Sequence, residues 1–254
     1  MVNMEKNGAG IALVTGASKG IGYALVEEFV VNGWQVVGVA RSIDVLDEMT
    51  KRFGKDVFIP CCCDVTDRDS VKSISNSLQE KGIFPTLFFL NAGIAGEAAC
   101  ENVNNFTTQK HKEIFDTNYF GVLHWVEEWI PVFQQGQEAR FVVTSSINAI
   151  FAPPIGSAYA ASKAAIAKAF EGLALTYFNT NLHFSVVYAG PVATEGLKGD
   201  LPFTWDSKRM AKYILKQSFR GKPRIHNSLF YSWLSRALRI LPYKYVVKLL
   251  KYSN

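Results

Sequence analysis

The sequence predicts a doubly wound α/β fold: a parallel sheet of about seven strands with helices on both faces and a helical extension at its C-terminal end. Three observations predict it. Short, almost wholly apolar runs lack the in-and-out alternation of half-exposed strands. Helical patterns separate them, as in βαβ units. A glycine-rich turn joins the first run to the first helical pattern. At 254 residues and 48% hydrophobic, the chain can bury one large core, and we read residues 1–254 as a single domain.

Ile11-Ala12-Leu13-Val14 reads as a strand buried on both faces. It runs into Thr15-Gly16-Ala17-Ser18-Lys19-Gly20-Ile21-Gly22, and then a helical pattern carries Leu25, Val26, Phe29 and Val30 on one side. That context suits a phosphate site, because glycines let the backbone approach a pyrophosphate and the helix N-terminus offers free N–H groups. Gly16, Ser18, Lys19, Gly20, Ile21 and Gly22 are therefore candidate dinucleotide contacts, although a tight turn without ligand uses the same glycines. Trp34 to Ala40 is the second strand, followed by Arg41-Ser42. At this strand end a carboxylate binds a ribose 2′-hydroxyl and an arginine accommodates a 2′-phosphate. No Asp or Glu lies between Gln35 and Ile43. Arg41, Ser42 and Lys19 offer donors instead, and a charge-assisted bond contributes about 1.5 to 3 kcal/mol. NADP(H) is thus expected, the alternative being that Arg41 is a solvated surface residue.

A helical segment near 43–53 leads to a third strand, Asp56 to Cys63, ending in Asp64-Val65. A helix from Asp67 to Glu80 and a strand from Thr86 to Leu90 follow, the strand closed by Asn91-Ala92-Gly93. Residues 108–135 form a long helical pattern carrying Asn118. Arg140 to Ser145 is the fifth strand, Gly156 to Thr180 the next helix, and Leu182 to Tyr188 the sixth strand, with Ala189 to Thr194 as the loop after it. Ligands should sit at the carboxyl ends of these strands.

The helix from Gly156 carries Tyr159 and Lys163, four apart and so on one face. A phenol has a pKa of about 10 and serves poorly as acid or base until its anion is stabilised. Lowering it by roughly 2 to 3 units takes about 3 to 4 kcal/mol. One ammonium at about 4 Å in a partly buried site supplies that much. Ten tyrosines and eighteen lysines make a chance Tyr-x-x-x-Lys unremarkable, but Tyr159 is the one tyrosine with this spacing, and Ser146 ends a strand thirteen residues upstream.

Taken together, Thr15-Gly16-x-x-x-Gly20-x-Gly22, Asp64, Asn91-Ala92-Gly93, Asn118, Ser146, Tyr159-x-x-x-Lys163 and Gly190 to Thr194 resemble the short-chain dehydrogenase/reductase family over about residues 9–195. The resemblance implies a Rossmann fold and a catalytic tetrad of Asn118, Ser146, Tyr159 and Lys163. In family terms Tyr159 exchanges the proton with the substrate oxygen, Ser146 orients that oxygen, Lys163 lowers the Tyr159 pKa and binds the nicotinamide ribose, and Asn118 holds a water. It also implies Asp64 and Val65 beside the adenine, Asn91, Ala92 and Gly93 near the cofactor ribose, and Gly190, Val192 and Thr194 at the nicotinamide end. The expected reaction is hydride transfer between NADP(H) and a carbonyl or secondary alcohol, with a lipophilic substrate as one option. A 3-oxoacyl thioester reductase and a non-catalytic dinucleotide-binding protein are the alternatives. A homodimer or homotetramer through 108–135 and 156–180 is a further implication.

Two departures stand out: Ala189 replaces the family's usual proline, and the usual glycine-rich last strand is not evident. Instead, Leu229 to Leu241 reads as an amphipathic helix with Ser232, Ser235, Arg236 and Arg239 on a narrow polar face. Tyr243 to Lys251 follows, with Lys244, Lys248 and Lys251 opposite Val246, Val247, Leu249 and Leu250. Residues 205–254 hold twelve Lys and Arg against Asp206 alone, a local +11 on a chain of +5. Peripheral membrane contact through 229–254 is one reading; apolar sides packed on the body or a second subunit is the favoured one. Nucleic acid is not expected as a partner. Cys61, Cys62 and Cys63 point to alternate faces of a strand and cannot share a metal, and the four histidines lack ligand spacing, so no metal site is expected. With Cys100 they read as reduced thiols, and a start without a signal-like apolar stretch makes a cytoplasmic location the expectation. Trp125 and Trp129 are expected in the core or a dimer contact, and Glu195 to Trp205 is a candidate substrate lid.

Overall fold

A computed structural model describes residues 10–95, 106–134, 136–154, 156–194 and 202–251. A seven-stranded parallel sheet runs in the order β3-β2-β1-β4-β5-β6-β9, built from β1 (Ile11–Thr15), β2 (Gln35–Ala40), β3 (Phe58–Cys62), β4 (Leu87–Leu90), β5 (Ala139–Ser146), β6 (Leu182–Ala189) and β9 (Arg224–His226). The order reverses between β1 and β4, which is where such sheets open a crevice at their carboxyl ends.

Both faces are covered. Helices α3 (Arg68–Glu80), α5 (Gly121–Phe133) and α6 (Ser157–Thr176) share one apolar core, which includes Trp125, Trp129 and Phe170. Helices α1 (Gly20–Val31), α2 (Ile43–Phe53) and α7 (Ser207–Phe219) share the other, with Phe29, Leu46 and Ile214. Side chains alternate across each strand: Leu13 faces one layer, while Ala12 and Val14 face the other. Phe88, Phe141 and Phe184 stand in register on adjacent strands and stack at 4.6 and 5.1 Å, fixing the middle of the sheet.

Four expectations change in detail. The helical pattern over 108–135 is α4 (Thr108–Phe115), one π-helical turn (Asp116–Phe120) and α5. The seventh strand is present as β9, three residues without glycine, too short and too charged at Arg224 to show as an apolar run. Helix α7 is an addition to the sequence reading, and its apolar residues Met210, Ala211, Ile214 and Leu215 lie buried. The serine face of α8 (Leu229–Ile240) is turned inward, so Leu229, Phe230, Trp233 and Ile240 stay exposed rather than packing on the body. Helix α9 (Tyr243–Lys251) follows it. Trp125 and Trp129 are fully buried, as expected for core residues. A two-residue ladder pairs β7 (Val192–Ala193) with β8 (Trp205–Asp206); residues 195–201 of the candidate lid, and Cys100, lie outside the described residues.

Candidate active site

The carboxyl ends of β1, β4, β5 and β6 bring the expected residues together. Thr15 Oγ1, at the end of β1, accepts hydrogen bonds from the Asn91 and Ala92 amides at 3.0 Å each, tying the strand end to Asn91-Ala92-Gly93. Gly16 (φ 67) and Gly20 (φ 57) occupy the left-handed region that favours glycine. A side chain on Gly22 would place its Cβ 2.0 Å from the Gly16 carbonyl oxygen, so only glycine lets α1 begin directly beneath the turn. Thr194 closes over this turn, its Cγ2 3.4 Å from where a Gly20 Cβ would lie. No side chain caps α1, so its first-turn N–H groups are not taken by an N-cap.

On the other side, Gly93 lies against Asn118 and Lys163: a Cβ there would meet Asn118 Oδ1 at 2.9 Å and Lys163 Nζ at 3.2 Å. Asn118 is fully buried in the π-helical turn, a distortion that often marks a functional position. Its side chain is fully engaged. Oδ1 accepts from the Ile94 amide at 2.7 Å, and Nδ2 donates to the Ile94 carbonyl at 3.1 Å and to Ser162 Oγ at 3.0 Å. This amide therefore holds the chain after Gly93 against α6.

Tyr159 and Lys163 share one face of α6, with Nζ 5.9 Å from the ring centroid. The Tyr159 hydroxyl is hydrogen-bonded to Ser146, whose Oγ also accepts from the Asn148 amide at 3.1 Å. Lys163 donates to the Thr144 carbonyl at 2.8 Å, and Ser145 Oγ donates to the Lys163 carbonyl at 2.8 Å. Burial lowers the Lys163 ammonium to about 8. Burial also pushes the Tyr159 phenol up, and the bond to Ser146 pulls it part of the way back. The lowering of the phenol expected from Lys163 is thus not the balance found, because desolvation outweighs an ammonium that spends its bond on Thr144.

The remaining expected contacts are dispersed along the same edge. Ser18, Lys19 and Ile21 lie in the glycine turn and the start of α1, with Lys19 exposed. Arg41 and Ser42 are exposed just after β2. Arg41 Nη1 lies 3.7 Å from Asp64 Oδ2, and Asp64 also accepts from the Thr66 amide and hydroxyl. Burial pushes the Asp64 carboxyl up, but these Thr66 and Arg41 interactions outweigh it and hold it below its usual range. Val65 is buried in the core beside it. Val192 is buried, and the Gly190 amide donates to Asn227 Oδ1 at 2.7 Å. Four supporting residues were not expected from the sequence: Thr144, Ser145, Ser162 and Asn227. The first two lie in the apolar run that ends at Ser146, where hydroxyls in place of hydrophobes are the signal. Asn227 follows a strand too short to recognise. Among the described residues no group of three or more potential ligands is placed to hold a metal ion.

The chain belongs to the short-chain dehydrogenase family, whose model, described as short chain dehydrogenase, matches residues 10–202. It is similar to the NADPH-dependent 1-acyldihydroxyacetone phosphate reductase of Saccharomyces cerevisiae, with 29% identity over 77% of this chain and 65% of that protein. The first curated relatives it matches are aligned over about two thirds of their own length. A short chain dehydrogenase from Burkholderia cenocepacia, solved in complex with NADP, superposes with a TM-score of 0.80 at 21% identity, covering 95% of this chain and 98% of that one. A Burkholderia phymatum relative solved with NAD gives 0.80 at 20% identity over 90% and 92%.

Replacing Gly22 by Ala sets a Cβ against backbone that cannot move aside, and should destabilise the protein by more than about 3 kcal/mol in urea unfolding. Gly172 is exposed in α6 with nothing within 4 Å of its Cβ position. Gly172→Ala should stabilise by about 0.5 to 1 kcal/mol in the same measurement.

Proposed function

We propose that the protein is an NADP(H)-dependent oxidoreductase that interconverts a carbonyl and a secondary alcohol, with Tyr159 as the proton-transferring residue. The observation that carries this reading is the Tyr159 hydroxyl bonded to Ser146, with the Lys163 ammonium on the same helix face against Gly93, and the adjoining Asn91-Ala92 against the glycine turn. The edge fits a dinucleotide: Gly22 has no room for a side chain, Gly16 and Gly20 take left-handed backbone, and α1 starts without a side-chain cap. Gly16, Ser18, Lys19, Gly20, Ile21 and Gly22 would hold the pyrophosphate, Asp64 and Val65 the adenine, Asn91, Ala92, Gly93, Tyr159 and Lys163 the nicotinamide ribose, and Gly190, Val192 and Thr194 the nicotinamide. When bound, the nicotinamide ring supplies or accepts the hydride.

The protein's own part is positioning and proton transfer. Ser146 orients the substrate oxygen beside Tyr159. Because burial raises the phenol, Tyr159 holds its proton at neutral pH and is set to donate it to the oxygen of a carbonyl under reduction. Lys163, charged below about 8, faces the phenolate left behind. A unit charge about 6 Å away contributes on the order of 3 kcal/mol at an effective dielectric of about 20. Asn118 keeps Gly93 and Ile94 seated against α6, so ribose and lysine stay in place.

For the 2′-phosphate, Arg41 stands at the end of β2 with its side chain largely exposed and only a long, screened contact to Asp64. A charge-assisted bond to phosphate outweighs that contact. The NADPH-dependent yeast relative and the NADP complex support this choice, and the NAD complex shows that the fold itself does not make it.

Tyr159→Phe should lower kcat/KM for carbonyl reduction by about 10³-fold while weakening NADPH binding by no more than about tenfold, the share of one ribose hydrogen bond. Turnover that survives this change removes Tyr159 from the mechanism. Arg41→Asp should weaken NADPH binding by about 10- to 100-fold without weakening NADH in proportion. Tighter binding of NADH than of NADPH by the wild type would overturn the cofactor assignment.

A further inference from the structure

Helix α8 turns its hydroxyls inward and its hydrophobes outward. Ser232 and Ser235 are buried, and Ser232 Oγ lies 2.9 Å from His226 Nδ1. Ser228 caps the helix through the Tyr231 amide, and the Tyr231 hydroxyl donates to the Pro202 carbonyl at 2.8 Å. These bonds fix the rotation of the helix. The opposite side carries Leu229 (79% exposed), Phe230 (51%), Trp233 (67%) and Ile240 (83%). Helix α9 anchors through buried Val246 and leaves Tyr243 and Leu249 in the open. Isolated exposed hydrophobes need no explanation, but this many large ones on one helix pair mark a contact surface.

Charge selects the occupant. Arg236, between Trp233 and Ile240 in helical spacing, and Arg239 are exposed on α8, and Lys244 and Lys248 are exposed on α9. No Asp or Glu occurs anywhere in residues 207–254. A second copy docking symmetrically would set this cationic face against itself, which like-charge repulsion opposes. Neither helix spans a bilayer: they are 12 and 9 residues long, and no helix among the described residues is long and apolar enough to cross one. Apolar and aromatic side chains interleaved with long cations suit the interface instead. There the rings sink to headgroup level while Lys and Arg reach lipid phosphates. We propose that the α8–α9 face lies on a bilayer surface bearing anionic phospholipids.

This face adjoins the site. Phe203, 68% exposed with a left-handed backbone (φ 59), packs against Phe230 with ring centroids 5.6 Å apart. Phe203 lies two residues before Trp205 of β8, which pairs with Val192 of β7, and the α8 cap residue Ser228 has its Cβ 3.3 Å from where a Gly190 Cβ would lie. A bilayer on this face meets the protein beside the mouth of the crevice, so a lipid-soluble substrate would have a short path into it.

The test is co-sedimentation of the full chain with vesicles of phosphatidylcholine alone and of phosphatidylcholine with about 30% phosphatidylserine, at about 0.1 and 0.5 M NaCl. Partitioning should be at least about tenfold stronger on the anionic vesicles and should fall at the higher salt. Trp233→Ser with Ile240→Ser should weaken binding to anionic vesicles about tenfold or more, with melting temperature and NADPH affinity unchanged because both side chains face solvent. Arg236→Gln, Lys244→Gln and Lys248→Gln together should remove most of the preference for phosphatidylserine, about 10- to 100-fold. Absence of vesicle binding overturns the proposal, as does binding that neither variant alters. Loss of a self-associated form in Trp233→Ser with Ile240→Ser, without any vesicle binding, would assign the face to a second copy instead.

Discussion

Two hydrogen bonds between β5 and α6 hold the reactive groups in register. Lys163 donates through Nζ to the Thr144 carbonyl, and Ser145 Oγ donates to the Lys163 carbonyl. A buried ammonium without partners would lose its proton or reject the fold; here one backbone carbonyl keeps it in place while burial moves it to about 8. With the helix fixed at that height, Tyr159 meets Ser146 at the strand end, and Lys163 meets Gly93 at the end of the neighbouring strand. The parallel sheet is what makes this possible, because every carboxyl end opens on the same edge.

The fold was largely legible because parallel strands buried on both faces read as nearly apolar runs, most plainly β1, β2 and β4. Strand β9 escaped because it pairs over only three residues, Val186 to Tyr188 against Arg224 to His226, and two of its own three side chains are charged or polar. The site was legible where chemistry depends on spacing, as at Gly16, Gly20 and Gly22 or at Tyr159 and Lys163. It was hidden where a residue works through tertiary contact. Asn227 reaches Gly190 across thirty-seven residues, and nothing around it announces that role. The π-helical turn at Asn118 was equally hidden, since its periodicity differs from an α-helix over only five residues.

Helix α8 shows how amphipathic pattern can mislead about direction. The sequence identifies a polar stripe and an apolar remainder, and ordinary burial preference would turn the apolar side to the body. Small hydroxyls at Ser232 and Ser235 let the helix approach closely, and His226 rewards that orientation with a hydrogen bond to Ser232. Leu229, Phe230, Trp233 and Ile240 are then left exposed. The same loop supplies Asn227 to Gly190, so the seat of α8 and the loop after β6 share one support.

The pairing of a protonated phenol with a lysine that titrates near neutrality is the central claim, and the pH dependence of kcat/KM for carbonyl reduction tests it most directly. Below about 8 Lys163 is charged and stabilises the Tyr159 phenolate formed on proton donation; above it the ammonium is lost, so the rate should fall with a midpoint near 8. Lys163→Arg, which keeps its charge, should move that alkaline limb upward by more than one pH unit, to about 10 or beyond. A profile flat from about pH 6 to 10, or a limb that Lys163→Arg leaves in place, would contradict the account.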